Sequence, residues 1–328
     1  MDLQFHKPEP SEARQIAPYY SMRPNKTCDS GMLDTYLWAS YYNTQIATPD
    51  DRALLILMKD GGETFTAMPW CREEDLAHYF DMLKMYFNEV LKKPLKIYLA
   101  DEEAVTALHL TENPDFIVKE EFDLKDYLYD GEKMRTLAGR KYHQKRNQVN
   151  KFSREYDGRW EYKSLHSLDH DSVTAFLDDW FSRRILEENN ALDSLEAELL
   201  GLKLLADHSD ELPFKAGCIK IDGKIEAVTV GSFNPLEKMA VISVEKGNPD
   251  IDGIYQVINQ QFLIHEFPDA DIINREDDVG LPGLRQAKES YNPIGYARKY
   301  MVLQKDFAGY EKELTDQYEK EIHEYSED

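Results

Sequence analysis

Residues 272–300 read IINREDDVGLPGLRQAKESYNPIGYARKY. The stretch opens as a short apolar strand, passes through three acids (Glu276, Asp277, Asp278), and turns at Gly280 and Gly283. Arg285, Lys288 and Tyr291 then recur every third residue until Pro293 stops the pattern. Offsets of three and six place these side chains in one slanted row on a helix. The sequence therefore predicts strand, acidic loop, basic helix and final strand, with the row at the edge of a substrate opening.

The surrounding composition makes that row stand out. The chain has 328 residues, 39 of them basic and 62 acidic, for a net charge of −23. A field of that sign repels nucleic acid and anionic membrane surfaces, so an anionic partner needs a local basic patch. The length suits two domains of about 150 residues each. Cys28, Cys71 and Cys218 are far apart and odd in number, which fits buried thiols better than a disulfide framework or a zinc site. The start MDLQFHKPEP lacks the charged and apolar regions of a secretory signal, and no apolar run approaches the ~20 residues of a membrane span. A soluble, cytoplasmic protein is expected.

Working backwards from residue 272, AGCIKIDGKIEAVTVGSF reads as a hairpin turning at Asp222-Gly223. MAVISVE reads as a strand and GIYQVINQQFLIHEF as a helix with apolar Ile254, Val257, Ile258 and Phe262. Helices from about 172 to 188 and 192 to 206 precede the hairpin. The first half shows a similar order: a helix at GMLDTYLWASYY, a hairpin at ALLILMKDGGETFTAM, a helix from Glu73 to Leu91 and a strand at LKIYLA. Two α+β units follow, at 1–135 and 161–306, joined by a basic helix at 136–160 and followed by an acidic tail at 307–328. The joining segment AGRKYHQKRNQVNKFSREY carries Arg140, Lys141, Lys145, Arg146, Lys151 and Arg154 with no acid before Glu155.

The second unit resembles an acyltransferase of the GNAT (N-acetyltransferase) fold, and more finely the catalytic C-terminal domain of bacterial phosphatidylglycerol lysyltransferases. The residues that carry the resemblance are Leu284-Arg285, Lys288, Tyr291, Pro293, Arg298-Lys299 and Tyr300, with Asn274 on the preceding strand. In the joining helix they are Arg146-Asn147 and Asn150. The resemblance implies two tandem acetyltransferase-like units, each with a mixed central sheet flanked by helices. It also implies transfer of an acyl or aminoacyl group to an amine or hydroxyl acceptor. The chain departs from those enzymes in lacking their membrane-embedded domain, and in offering Glu245-Lys246 where they place an acid and an arginine.

Acyl transfer needs a base for the acceptor, an acid for the leaving group and donors for an oxyanion. Glu245, at a strand end, is the expected base and Tyr291 the expected acid; a solvated carboxylate and a packed tyrosine are the competing readings. Lys246, Asn274, Arg285, Lys288, Lys145 and Arg146 are the expected substrate-binding residues, the cations meeting a phosphate or developing oxyanion. Pairing of Arg285 and Lys288 with Glu276, Asp277 and Asp278 is the alternative. Aminoacyl-tRNA and acyl-coenzyme A are the candidate donors, beside an unidentified acyl donor; coenzyme A is disfavoured because EKGNPDIDG, where its pyrophosphate would sit, carries Asp250 and Asp252. The net charge disfavours tRNA, which leaves the joining helix as its landing point. No metal is expected: His166 and His170 lack the glutamate of a zinc-protease helix. A binding protein that kept the fold without catalysis is the remaining alternative.

Overall fold

The computed structural model describes residues 3–165, 170–187 and 192–305. The tail helix read from residue 310, and His166 of the histidine pair, lie outside them. The strands are β1 (Gln45–Ala47), β2 (Ala53–Asp60), β3 (Glu63–Thr66), β4 (Trp70–Cys71), β5 (Lys96–Asp101), β6 (Phe116–Glu120), β7 (Asp126–Asp130), β8 (Trp160–Ser164), β9 (Lys215–Ile221), β10 (Lys224–Asn234), β11 (Met239–Gly247), β12 (Ile272–Asn274), β13 (Gly295–Ala297) and β14 (Lys299–Gln304). The α-helices are α1 (Ala13–Ile16), α2 (Leu33–Leu37), α3 (Leu76–Met85), α4 (Glu102–Ala107), α5 (Gly131–Thr136), α6 (His143–Glu155), α7 (His170–Glu187), α8 (Leu192–Asp207), α9 (Ile254–Glu266) and α10 (Pro282–Glu289).

The chain is α+β, with two mixed sheets flanked by helices. The first sheet runs β1-β2-β3-β5-β14-β6, with β4 on β2; the second runs β13-β7-β12-β11-β10-β9-β8. Sheet membership does not follow the halves of the chain. β14, the last of the described strands, lies antiparallel between β5 and β6 in the first sheet. β7, which precedes the joining helix, pairs antiparallel with β12 and β13 in the second.

Local chemistry explains most elements. The β9–β10 turn needs positive φ at both central positions, and Asp222 and Gly223 supply it at 51° and 82°. Asp101 and Asp130 cap α4 and α5 by accepting the Ala104 and Lys133 backbone N–H groups. The apolar stripe of α3 buries Leu76, Tyr79, Phe80 and Leu83, and the following turn is π-helical, ending in left-handed Lys92. The helix read at 31–42 is shorter than expected. Only Leu33–Leu37 is α-helical, preceded by a 3-10 turn at Cys28–Ser30 with no side-chain cap.

One face of the first sheet packs on α3, with Leu55, Leu83, Phe87, Ile97 and Val302 in one cluster. A second cluster joins the halves: Ile16, Leu37, Leu54 and Trp70 pack with Leu177, Phe181, Leu202, Val228 and Val244. α9 covers the far face of the second sheet, placing Phe262 and Leu263 against Ile242 and Ile273. The sheets are thereby held through a shared apolar layer, and the candidate site lies where that layer gives way to charge.

Candidate functional site

The parallel pairing of β11 with β12 covers only Met239–Val241 against Ile272–Asn274. Beyond it β11 continues to Gly247 while the other strand becomes the loop 275–281, so the two chains diverge. Asn274 pins the start of this loop: its side chain, fully buried, donates to the Lys26 carbonyl and to Asp126, and accepts the Glu276 N–H. Glu276 takes φ of 58°, and successive side chains then leave on different sides.

Arg275 turns towards β11. It pairs with Glu245 at 3.0 Å, and Glu245 also accepts from Asn259 of α9 at 2.9 Å. Tyr291, 4% exposed, packs beneath Arg275 and Lys145, whose cationic groups lie 4.9 and 4.3 Å from its ring centre. Burial pushes the Tyr291 phenol up to about 12, against the opposing charge of Arg275. Burial first, then Arg275, lowers the Lys145 pKa. The structure thus brings Glu245, Tyr291 and Lys145 together around an arginine that the sequence reading did not single out.

The expected row of Arg285, Lys288 and Tyr291 is corrected by the geometry. Arg285 donates to Asp278 at 2.8 Å and to Asp123 at 2.6 Å. Lys288 is 8% exposed and points inward, donating to the carbonyls of Arg275 and Asp277. The helix is short and begins at Pro282, so its row faces the acidic loop instead of solvent. Lys288 closes that loop through backbone contacts, and Arg285 clamps it through Asp278. The other expected cations are engaged as well. Lys246 pairs with Glu198 at 2.8 Å over the Trp180 ring, and Arg146 donates to the carbonyls of Leu137 and Gly139. The acids of the 245–253 loop have partners too: Asp252 meets Lys151 at 2.7 Å and Asp250 lies 3.7 Å from Arg183.

On the other side of the loop, Glu276 and Asp277 line a cavity of about 410 Å³ where the two halves meet. Its walls include Trp38, Tyr41, Tyr42, Phe65, Trp70 and Tyr98; Cys28, Asp29, Asp34 and Lys299 join the two acids in its polar part. Among the described residues Lys299 is the one cation of the lining, and Asp101 of the same lining is taken by Arg23 at 2.6 Å. Lys299, 1% exposed, pairs with buried Asp126 at 2.8 Å and lies 3.5 and 3.7 Å from Asp29 and Asp277. Burial opposes its charge, but Asp126 and its neighbours hold its pKa well above the usual lysine value.

Among the described residues no cation forms an ion pair with Asp34 or Glu276, and the more distant charges of Lys299 and Lys288 only partly offset their repulsion. Burial, and then repulsion from Asp29 for Asp34 and from Asp34 for Glu276, raises both carboxyls well above the carboxylate range. Asp34 Oδ1 is buried without a hydrogen-bond partner, and so is Trp70 Nε1. Cys28, Asp34 and Glu276 bring ligand atoms within 4.8 Å of one another, which could hold a cation; the Lys299 ammonium, 3.1 Å from the Cys28 sulfur, competes with a metal there. The three cysteines are buried free thiols. A second cavity, of about 550 Å³ beside α7 and the β9–β10 turn, has its charged walls already paired, as in Arg183 with Asp179 and Lys224 with Glu226.

Sequence reasoning missed Asp29, Asp34, Glu276 and Asp277 as site residues. Acids at a strand end or ahead of a short helix look solvated, and only the fold encloses them. Lys299 had a signal, since it belongs to the basic series that carries the family resemblance.

Two sheets that exchange strands, a parallel β11–β12 pair that splays, and a cavity between the halves with carboxyls in its polar part define an α+β protein of two mixed sheets flanked by helices. The chain belongs to the family described as phosphatidylglycerol lysyltransferase, C-terminal, whose model matches residues 23–303. It is similar to a conserved protein of unknown function from Bacteroides thetaiotaomicron, with 24% identity, a TM-score of 0.83, and coverage of 93% of this chain and 100% of that one. It is also similar to L-PGS from Bacillus licheniformis, with 15% identity, a TM-score of 0.66, and coverage of 94% and 95%. At these identities the likeness is one of fold. An uncharacterised protein of Mycoplasmoides gallisepticum is 26% identical over 194 residues, 56% of this chain, and the match spans 60% of that relative's length. Among the described residues no helix is long and apolar enough to cross a membrane.

Proposed function

We propose that the chain transfers an aminoacyl group to an amine or hydroxyl acceptor, and that the cavity between the sheets holds the donor's ammonium. The observation that carries this reading is the excess of carboxyls in the cavity: Asp29, Asp34, Glu276 and Asp277 share Lys299, while Asp34 Oδ1 has no partner. An uncharged acyl group would leave these carboxyls repelling one another. An ammonium between Asp34 and Glu276 neutralises them, and the surrounding aromatic faces add cation–π attraction. The Trp70 N–H without an acceptor suits a carbonyl oxygen of the same ligand.

In the reaction the acceptor's lone pair attacks the donor's ester carbonyl. The bond to the leaving oxygen then breaks, and the acceptor's proton passes to that oxygen. Lys299 supplies positive charge beside the developing oxyanion. In this reading Glu245 and Tyr291 hold Arg275, and through it the loop that carries Glu276 and Asp277. Exposed Arg140, Lys141 and Arg154 around α6 give a polyanionic donor carrier a local landing point in an acidic chain. A coenzyme A donor is less well supported, because the Glu245–Arg275 bridge crosses the splay between β11 and the loop after β12.

Titration calorimetry tests the reading with alanine amide, lysine amide, N-acetylalanine amide and acetyl-coenzyme A. Amides with a free ammonium are expected to bind at least about tenfold more tightly than the acetylated amide, and D34N/E276Q is expected to abolish that preference. Tight acetyl-coenzyme A binding with no amide binding would sink it.

A further inference from the structure

The cavity between the sheets has two unlike sides, and corresponding positions of the two units set them. In each unit a strand paired in parallel, β5 beside β3 and β12 beside β11, leads to a left-handed residue that is not glycine. These are Leu99 and Glu276, both at φ of 58°. Two residues further on comes an aspartate held by an arginine, Asp101 by Arg23 and Asp278 by Arg285. Leu99 and Glu276 therefore correspond, and both line the cavity. One unit presents an isobutyl group where the other presents a carboxyl.

The rest of the lining follows this split. Asp29 and Asp277 lie 3.5 and 3.7 Å from the Lys299 ammonium, and Asp34 and Glu276 close on the Cys28 sulfur beside it. Next to Leu99 begins a run of rings: Tyr98, Phe65, Tyr42, Tyr41 and Trp38 meet in turn, edge to face, with centres 4.8 to 6.2 Å apart. β5 brings one carboxyl to the lining, Asp101. Both of its oxygens accept from Arg23 at 2.6 Å, and one also accepts the Ala104 N–H.

We propose that this wall of rings selects the side chain of the aminoacyl donor, and that the donor carries a large apolar or aromatic side chain of the leucyl or phenylalanyl kind. The proposal rests on the reading that the donor's ammonium sits between Asp34 and Glu276. On an α-aminoacyl group the ammonium and the side chain leave the same carbon, so the side chain must fall on the lining next to the acids. The wall meets the acids at Tyr98, whose phenol is raised by burial first and then by the charges of Glu121 and Asp277. At about 410 Å³ the cavity lies within the range of about 300–1,000 Å³ that encloses whole small ligands. An alanyl group would leave the rings facing water.

Charge disfavours the other side chains. A basic side chain along the wall gives up its hydration and finds Asp101 already taken. The rings return little to it, because edge-to-face packing spends ring faces on neighbouring edges. An acidic side chain would join four carboxyls that already share one ammonium.

Titration calorimetry of the full chain decides it, with the amides of alanine, leucine, phenylalanine, lysine and N-acetylphenylalanine. Leucine and phenylalanine amide are expected to bind roughly tenfold to a hundredfold more tightly than alanine amide, and lysine amide no more tightly than alanine amide. Leu99→Asp, which a left-handed backbone accommodates, is expected to strengthen lysine amide by about fivefold and to weaken phenylalanine amide. Leu99→Asn is expected to weaken phenylalanine amide without strengthening lysine amide. Equal affinities for all the free amides, or lysine amide binding the wild type most tightly, would overturn the side-chain assignment and leave the ammonium seat standing. Displacement of phenylalanine amide by adenosine would overturn it as well, assigning the rings to a nucleobase. No binding by any free amide, or equal binding of phenylalanine amide and its N-acetyl form, would remove the ammonium seat and the side-chain assignment together.

Discussion

Lys299 and Asp126 are the first residues of the two strands that cross between the sheets, and their side chains meet at 2.8 Å with 1% and 0% exposure. One ion pair therefore ties β14 of the first sheet to β7 of the second, at the polar edge of the cavity. Removing one partner from such a pair leaves a buried charge without compensation. Lys299→Met is expected to cost about 3–5 kcal/mol in urea unfolding, and K299M/D126N to recover part of that loss. A single-variant cost below about 1 kcal/mol would show that the pair contributes little.

The cavity carboxyls set an unusual pH dependence. Asp29, Asp34, Glu276 and Asp277 all have raised pKa values in the folded chain, burial being the first cause for each. A carboxyl whose folded pKa lies above its unfolded value of about 4 binds more protons when folded. Its contribution is therefore lost as pH rises from about 4 through the raised values. Unfolding free energy is expected to fall across that window, and D34N/E276Q to flatten the fall and stabilise the apo protein at pH 8 by about 1–2 kcal/mol. A wild-type profile that climbs steadily from pH 5 to 8 would contradict it.

Asp278 behaves in the opposite way. Hydrogen bonds from Arg285, then from Tyr127 and the Gly280 N–H, bring its carboxyl down to about 2. Its contribution is present above about pH 4 and lost as pH falls towards 2. Asp278→Asn is expected to cost about 1–3 kcal/mol at pH 7 and to remove that acid-side loss, as read by thermal unfolding across pH.

Much of the fold was legible in local pattern. The β9–β10 hairpin follows from Asp222-Gly223, and α9 from the spacing of Ile254, Val257, Ile258 and Phe262, all of which are buried. The exchanged strand β7 was not legible. Its residues Asp126–Asp130 are followed by an N-capped turn of helix, and nothing local states that its pairing partners lie some 150 residues later in the chain. The site was legible only in pieces. Asn274, Arg285 and Lys288 do shape the loop 275–281, but through internal bonds that a row of charges on a helix cannot reveal. Glu276, Asp277 and Asp278 look alike in sequence, and the backbone turn at Glu276 sends them to different neighbours.

Tyr291 offers a spectroscopic check. With its phenol at about 12, it stays protonated through the neutral range. The ultraviolet difference between wild type and Tyr291→Phe should therefore show no ionisation below about pH 10. Tyr291→Phe is expected to slow turnover with little change in ligand affinity, once an aminoacyl substrate is found. Wild-type turnover would remove Tyr291 from both the proton-transfer and the positioning roles.

The exchange of β7 and β14 also bears on biosynthesis. A ribosome delivers β5 and β6 long before β14, which must lie between them, so the first sheet stays open until β14 has emerged. β7 likewise waits for β12 and β13. Neither half is a separable module. A cut between α5 and α6 would leave each fragment lacking a strand that only the other can supply, so the two pieces should refold together and not apart.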